Sequence, residues 1–479
     1  MKKIISTALL AAAFCAAPYI QAADDANPPA DATAKAAAQQ QKLARFAGRA
    51  TAKTIYTNVT LIDGTASGAT AAARPSMAIV VNGDRLGAIL PMEQLSKQMT
   101  ADAEVLDMHG MFALPGLIDS HVHYATLPTR VTSEALLKRD IYGGLTGVRD
   151  MAGDARALAD LSRSALVNEI PSPDIFYSAL VAGPSFFTDP RTEFASLGMP
   201  PGQAPWLYAV TDTTSLPLTI AQARGTGATG LKIYANLSGK LVRGLVNEGK
   251  KQSFPVWTHQ QVYPATPYDS LGATTVSHAC MIARYVREPG KQHYGHADEP
   301  SYAGLTADDP GIKKYIAALA RSGTMMDATL VAYIPAIPPA TEQNKPIPPN
   351  PHCPVQLAGD ITRAMHKAGI PVVAGTDTDI VPDDPHPALY GELEALVRYA
   401  DFTPYEAIVA ATRNAAKALG KQGDFGTLET GKFANLILLR EDPTQDISKL
   451  HTLVMTVKRG HRFLQSDYHH QPIPLPSFD

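Results

Sequence analysis

Leu114-Pro-Gly-Leu-Ile-Asp-Ser-His-Val-His123 is an apolar run closed by two histidines. Leu117, Ile118 and Val122 read as a buried strand, with Leu114-Pro115-Gly116 as the turn leading in. Successive side chains of a strand face opposite ways, so His121 and His123 point the same way. Two imidazoles on one face of a strand end can chelate one divalent metal. Alternating histidines are also found solvated or hydrogen-bonded without any metal, so the rest of the chain has to decide.

Beyond Pro115 the chain alternates strand and helix. Apolar β-runs lie near His121, Val148, Phe176, Ile233, Thr258, Ser277, Asp327 and Val373, with helical patterns at 155–169, 312–322, 355–368 and 389–400. Eight strand–helix repeats within residues 113–420 predict an α/β fold, a TIM-like (β/α)8 barrel. The rival, an open doubly wound sheet, lacks any Gly-x-Gly-x-x-Gly opening a helix. Wide gaps after strands three, six and seven predict long loops over the carboxyl end of the barrel.

The flanks read differently. Residues 51–112 hold short β-runs: a strand over 55–64, then 77–81 and 85–90 as a hairpin around a type I′ turn at Asn82-Gly83. Thr403-Pro404-Tyr405-Glu406 has the cap, first-turn proline and returning acid of a capping box, and its helix is expected to run to Gly420. Residues 421–479 return to β pattern at 426–439 and 453–457. They are expected to join 51–112 in a small β-sandwich beside the barrel.

Of the 479 residues 45% are hydrophobic and 18% charged, an ordinary globular balance. A net charge of −3 carries no nucleic-acid footprint, and no 18-residue apolar run beyond the amino terminus predicts a membrane span. Lys2 and Lys3 precede an apolar stretch over 4–17, and Ile20-Gln21-Ala22 offers a cleavage site, so residues 1–22 read as a signal peptide. Bulky Phe14 before Cys15 argues against a lipoprotein. Cleavage would move the charge from −3 to −5, because it removes two lysines and no acid. Residues 23–50 read as a linker, and the mature protein is expected in a periplasm. Cys280 and Cys353 would be its only cysteines, and sequence leaves their pairing open.

Barrel enzymes place reactive groups at the carboxyl ends of strands. Read in order, those positions give His121 and His123, then Lys232, His259, His278 and Asp377. Singly, each has an ordinary structural explanation, such as a core histidine, a helix cap or a snorkelling lysine. Together they predict a metal site. An ammonium at Lys232 beside two divalent cations would be strongly disfavoured, so the amine must be neutral or altered, for instance carbamylated by carbon dioxide. Tyr234, two residues on, is placed to hydrogen-bond a developing oxyanion or to pack under a loop. Cys280 reads as a buried inert thiol, Arg149-Asp150 as a structural ion pair, and His293 and His296 as solvated. A substrate contact is open to His386.

The pattern resembles the amidohydrolase superfamily, its imidazolonepropionase-like and Xaa-Pro dipeptidase branch. The similarity rests on Pro115-Gly-Leu-Ile-Asp-Ser-His-Val-His123, Thr146-Gly-Val-Arg-Asp150, Thr376-Asp377 and Gly426-Thr-Leu-Glu-Thr-Gly-Lys-Phe-Ala-Asn-Leu436. By that resemblance His121 and His123 bind one divalent metal and His259 and His278 a second, both expected to be zinc. Lys232 matches an N6-carboxylated bridge, and Asp377 a ligand that doubles as proton shuttle. The implied reaction is attack on a small amide, a dipeptide or N-acyl amino acid, by a metal-bridging hydroxide. A lactone, cyclic amide or phosphoester substrate, or a non-catalytic metal-binding scaffold, are the alternatives, and a homo-oligomer is expected. Two positions depart from the pattern. Asn435 stands where an acid is usual, and Gly183-Pro-Ser-Phe-Phe-Thr-Asp189 lacks the histidine that dipeptidases of this branch carry after strand three.

Overall fold

A computed structural model describes residues 53–126, 129–260, 262–292, 300–334, 353–377 and 384–473. The expected signal peptide and linker, and His293 and His296, lie outside the described residues. Eight parallel strands form the barrel: Leu117–Val122, Leu145–Asp150, Asp174–Ala182, Gly230–Ile233, Val256–His259, Thr275–Ser277, Met325–Asp327 and Val372–Val373, here first to eighth. The ring closes where Ser120 N–H donates to the Ala374 carbonyl and Asp377 N–H to that of His121, both at 2.9 Å. The first two strands are buried at every residue, as a sheet covered on both faces requires. Each expected strand is present.

Helices pack outside through amphipathic faces. Ala155–Leu166 is capped by the Asp154 side chain and buries Leu158, Leu161 and Ala165. The predicted capping box at Thr403 forms, with Thr403 N–H donating to Glu406 Oε2 at 2.9 Å and Glu406 N–H to Thr403 Oγ1 at 3.2 Å. Its helix is not regular to Gly420: residues Ala410–Asn414 widen into a π-turn before Ala415–Ala418 resumes. The widened turn serves the barrel. The Ala410 carbonyl accepts from Ala374 N–H at 3.2 Å, and Asn414 Nδ2 donates to the Val372 carbonyl at 2.8 Å. The two-residue eighth strand is therefore held from outside.

Strands from both ends of the chain build the sandwich domain. Phe112–Pro115 pairs antiparallel with Leu436–Leu439, so the chain leaves this sheet at Pro115 and enters the barrel at Leu117. The domain has its own core, including Tyr56, Ile79, Leu436, Met455 and Val457. Its hairpin turn differs from expectation. Asn82 pairs with Arg85, so the central residues are Gly83 and Asp84, and only Gly83 has positive φ (+60°). That is the II′ pattern rather than I′.

Cys280 is not an inert thiol: it is disulfide-bonded to Cys353, with Cα atoms 6.3 Å apart. The bond ties the segment after strand six to the start of helix Val355–Lys367. The loop after strand three carries helix Arg191–Ala195 and a short ladder, in which Leu207–Ala209 adds to strand three beside Leu180–Ala182. No helix among the described residues is long and apolar enough to cross a membrane.

Gly183, where strand three meets this loop, has ordinary φ but no room: an added Cβ would lie 1.8 Å from the Asn236 carbonyl oxygen. Backbone cannot swing aside as a side chain can. Gly183→Ala is expected to cost about 1–3 kcal/mol. Gly225→Ala, where nothing lies within 4 Å, should be neutral or slightly stabilising. Denaturant melts of the two variants compare them directly.

Candidate metal centre

The carboxyl ends of strands one, five, six and eight converge on one spot. Ring centroids of His121 and His123 are 5.3 Å apart, those of His121 and His278 5.0 Å, and those of His259 and His278 4.7 Å. Asp377 lies among them. Its Oδ1 is 3.1 Å from His123 Nε2 and 3.5 Å from His121 Nε2, and its Oδ2 is 3.4 Å from His278 Nδ1. One ligand atom each from His121, His278 and Asp377 fall within 4.8 Å of one another. Burial would raise the Asp377 carboxyl pKa, but His121, His123 and His278 hold it well below the usual carboxylate range.

Backbone geometry aims these groups. His278 has φ +75°, Thr329 +50° and Asp377 +45°, all left-handed and all just past a strand end. Such positions cost of order 1–3 kcal/mol each and persist only where surroundings over-determine them. Here His278 N–H donates to the Asp327 carbonyl at 2.8 Å. Asp119 accepts from the Thr376 backbone N–H at 3.1 Å and its hydroxyl at 2.9 Å, fixing the residue before Asp377.

A buried carboxylate sets the orientation of His121. Asp327 Oδ2 lies 2.8 Å from His121 Nδ1, and also accepts from Arg149 Nη2 and Ser277 Oγ at 2.9 Å each. An ionised carboxylate only accepts, so Nδ1 carries the proton and Nε2 is left with its lone pair toward the centre. The Ala152 carbonyl, 3.2 Å from His123 Nδ1, directs His123 Nε2 the same way. Arg149 is thus structural, but its partner is Asp327. Asp150 instead accepts from Tyr124 N–H at 2.7 Å.

Lys232 points into the barrel from strand four. It is 2% exposed, and its Nζ has no hydrogen-bond partner among the described residues. Burial pulls its amine pKa down to about 8, against the attraction of Asp377 and Asp327. Four imidazoles, a carboxylate and an orphaned amine at the end of one barrel are donor chemistry that suits divalent transition metals.

Tyr234 stands at the rim. Its ring meets His259 edge-on at 5.1 Å and Phe186 of the strand-three loop at 4.9 Å. His386 is elsewhere, against His451 at 4.4 Å and Tyr390 at 5.8 Å. The sequence reading overlooked Asp327 and Asp119, although the strand-end rule applied to His278 reaches Asp327 equally well. It also overlooked Arg191, which no local pattern singles out.

Residues 270–463 match the model of the Amidohydrolase family. An ochratoxinase of Aspergillus niger is 44% identical over 82 residues, 17% of this chain and 16% of that protein. Its crystal structure superposes at a TM-score of 0.64 and 17% identity, covering 87% of this chain and 97% of that one. The imidazolonepropionase of Shouchella clausii is 38% identical over 76 residues, 16% of this chain and 17% of that protein. A Xaa-Pro dipeptidase crystallised with methionine in its active site superposes at a TM-score of 0.66 and 19% identity, covering 86% of this chain and all of that one. These sequence matches span about a sixth of either curated relative's length, whereas the shared fold covers 86% to 87% of this chain. Over residues 270–463 the chain is thus similar to the Amidohydrolase family, and its fold is that of these neighbours.

Two substitutions test the Asp327 hub. Asp327→Ala is expected to weaken divalent-metal binding about 10–100-fold, read with zinc by competition with a chelator, because His121 loses the acceptor that fixes its tautomer. Arg149→Met strands a buried carboxylate and should cost about 3–5 kcal/mol in denaturant unfolding.

Proposed function

We propose that this protein is a binuclear metal-dependent amidohydrolase that cleaves a small amide, a dipeptide or N-acyl amino acid. The convergence of four imidazoles and Asp377 around the unpartnered Lys232 amine carries this reading. His121 and His123 would hold one ion and His259 and His278 the other. Lys232, N6-carboxylated, would bridge them, and Asp377 would complete the set. Divalent ions such as zinc supply, when bound, an activated water at neutral pH and an electrophile for the carbonyl.

The chain's own groups do the rest. Asp377, kept ionised by its histidine neighbours, is available to take a proton from the attacking water and return it to the departing amine. Tyr234 is placed at the rim to hydrogen-bond the carbonyl oxygen as charge develops there. Phe186 and Phe187, packed ring to ring at 5.4 Å, give the strand-three side of the site an apolar wall. A dipeptidase among the structural neighbours supports a dipeptide substrate.

Chelation should abolish amide hydrolysis and zinc with bicarbonate should restore it, while Asp377→Asn should lower kcat at least about a hundredfold. No hydrolysis by the wild type across a dipeptide and N-acetyl amino acid panel would sink this reading. Carbamate formation consumes the neutral amine and carbon dioxide and releases a proton. With the Lys232 pKa at about 8, the neutral fraction grows about tenfold per pH unit below that value. Reactivation at fixed dissolved carbon dioxide should therefore quicken from pH 6 to 8 and level off above.

We further infer export. The Cys280–Cys353 bond supports an oxidising compartment. Protein isolated from the periplasm should begin at Ala23 by mass and show no titratable thiol. A retained amino terminus with three reactive thiols, Cys15 among them, would refute export.

A further inference from the structure

The loop after strand three brings a charged pair to the rim of the site. Asp189 accepts from Arg191 through Nε at 3.0 Å and Nη2 at 2.7 Å, and from the Arg191 backbone N–H at 3.0 Å. This two-pronged bridge fixes the plane of a guanidinium that is otherwise half exposed. The guanidinium is in turn hydrogen-bonded to the phenol of Tyr234. Tyr234 follows Lys232 by two residues, and its ring is seated between His259 and Phe186. Its ring centroid is 6.0 Å from Lys232 Nζ.

Direction follows from chemistry. A guanidinium has five N–H donors and no acceptor. The phenol oxygen must therefore be the acceptor, and its own proton is turned away from Arg191. A hydroxyl that accepts from a cation is polarised into a stronger donor. We propose that Asp189 and Arg191 are positioning residues that make Tyr234 a fixed, polarised hydrogen-bond donor to the oxygen of the scissile carbonyl. Arg191 does not touch substrate in this account; it acts through the phenol. The inference rests on the amide hydrolysis proposed above.

The test uses full-length, zinc-loaded protein, the fastest member of an N-acetyl amino acid panel, and the N-methylphosphonyl derivative of the same amino acid as a tetrahedral probe. Tyr234→Phe should lower kcat about a hundredfold with KM within about twofold, as for loss of one oxyanion donor. Arg191→Met should lower kcat about tenfold, and should add nothing in the Tyr234→Phe background. Calorimetric affinity for the phosphonyl probe should fall in the same order, while affinity for the free amino acid product stays put. Arg191→Lys, which keeps a cationic donor, should recover part of the loss and serves if the methionine variant does not fold. Fully additive losses in the double variant, or a raised KM with kcat intact, would overturn the proposal, the latter marking Arg191 as a direct substrate contact. Failure of wild-type hydrolysis would instead defeat the parent reading, whereas an active wild type with an unaffected Arg191→Met defeats this inference alone.

Discussion

Asp327 carries the geometry of the site. Its side chain is completely buried, and a carboxylate taken out of water costs several kcal/mol unless a partner restores the loss. Arg149, equally buried, is that partner, and it also donates to the Ser120 carbonyl and Thr275 Oγ1 while lying over the Trp257 ring at 4.9 Å. Residues on the first, second, fifth, sixth and seventh strands are thereby joined beneath the candidate metal centre. The same carboxylate chooses the tautomer of His121. Structural and chemical demands meet in one group, and the packing around it leaves no slack: a Cβ on Gly375 would lie 2.5 Å from Asp327 Oδ1 and 2.7 Å from His121 Cβ.

Strain sits where chemistry is expected. His278, Thr329 and Asp377 all take left-handed backbone without being glycine. A regular continuation of strands six and eight would carry their side chains along the sheet alternation instead of into the mouth. The frame that holds them is outside the mouth: the π-turn at Ala410–Asn414 grips the eighth strand, and the Cys280–Cys353 bond anchors the segment beyond His278. Regular elements supply the stability that the irregular residues spend.

Most of this was legible in sequence because barrel strands have a strict logic. An apolar run ending in a polar side chain of a metal-binding type is a local signal, and it pointed to His121, His123, His259, His278 and Asp377, which lie close together, while Lys232 was read from inside its apolar run. What failed was of two kinds. Turn chemistry at Gly83-Asp84 depends on a register set by cross-strand pairing, one residue away from what Asn82-Gly83 suggests. Partners distant in sequence, such as Arg149 with Asp327 or Arg191 with Tyr234, follow from strand order and loop path, which no local pattern encodes. The disulfide belongs to that second kind, since its cysteines are 73 residues apart.

Lys232 bears on how the site would accept a cation. Its amine is attracted by Asp377 and Asp327 but has no hydrogen bond among the described residues, and burial brings its pKa to about 8. Asp377 and Asp327 oppose that fall and favour the charged amine. A divalent ion in the same space would attract these carboxylates more strongly and would repel the ammonium, so cation entry and proton loss are linked. On the proposed reading the residue would suit both roles: a positive charge beside Asp377 and Asp327, and a neutral, nucleophilic amine beside a bound cation. An uncharged side chain at 232 would leave Asp377 without that charge in the first role, and a permanently charged one would bar the second.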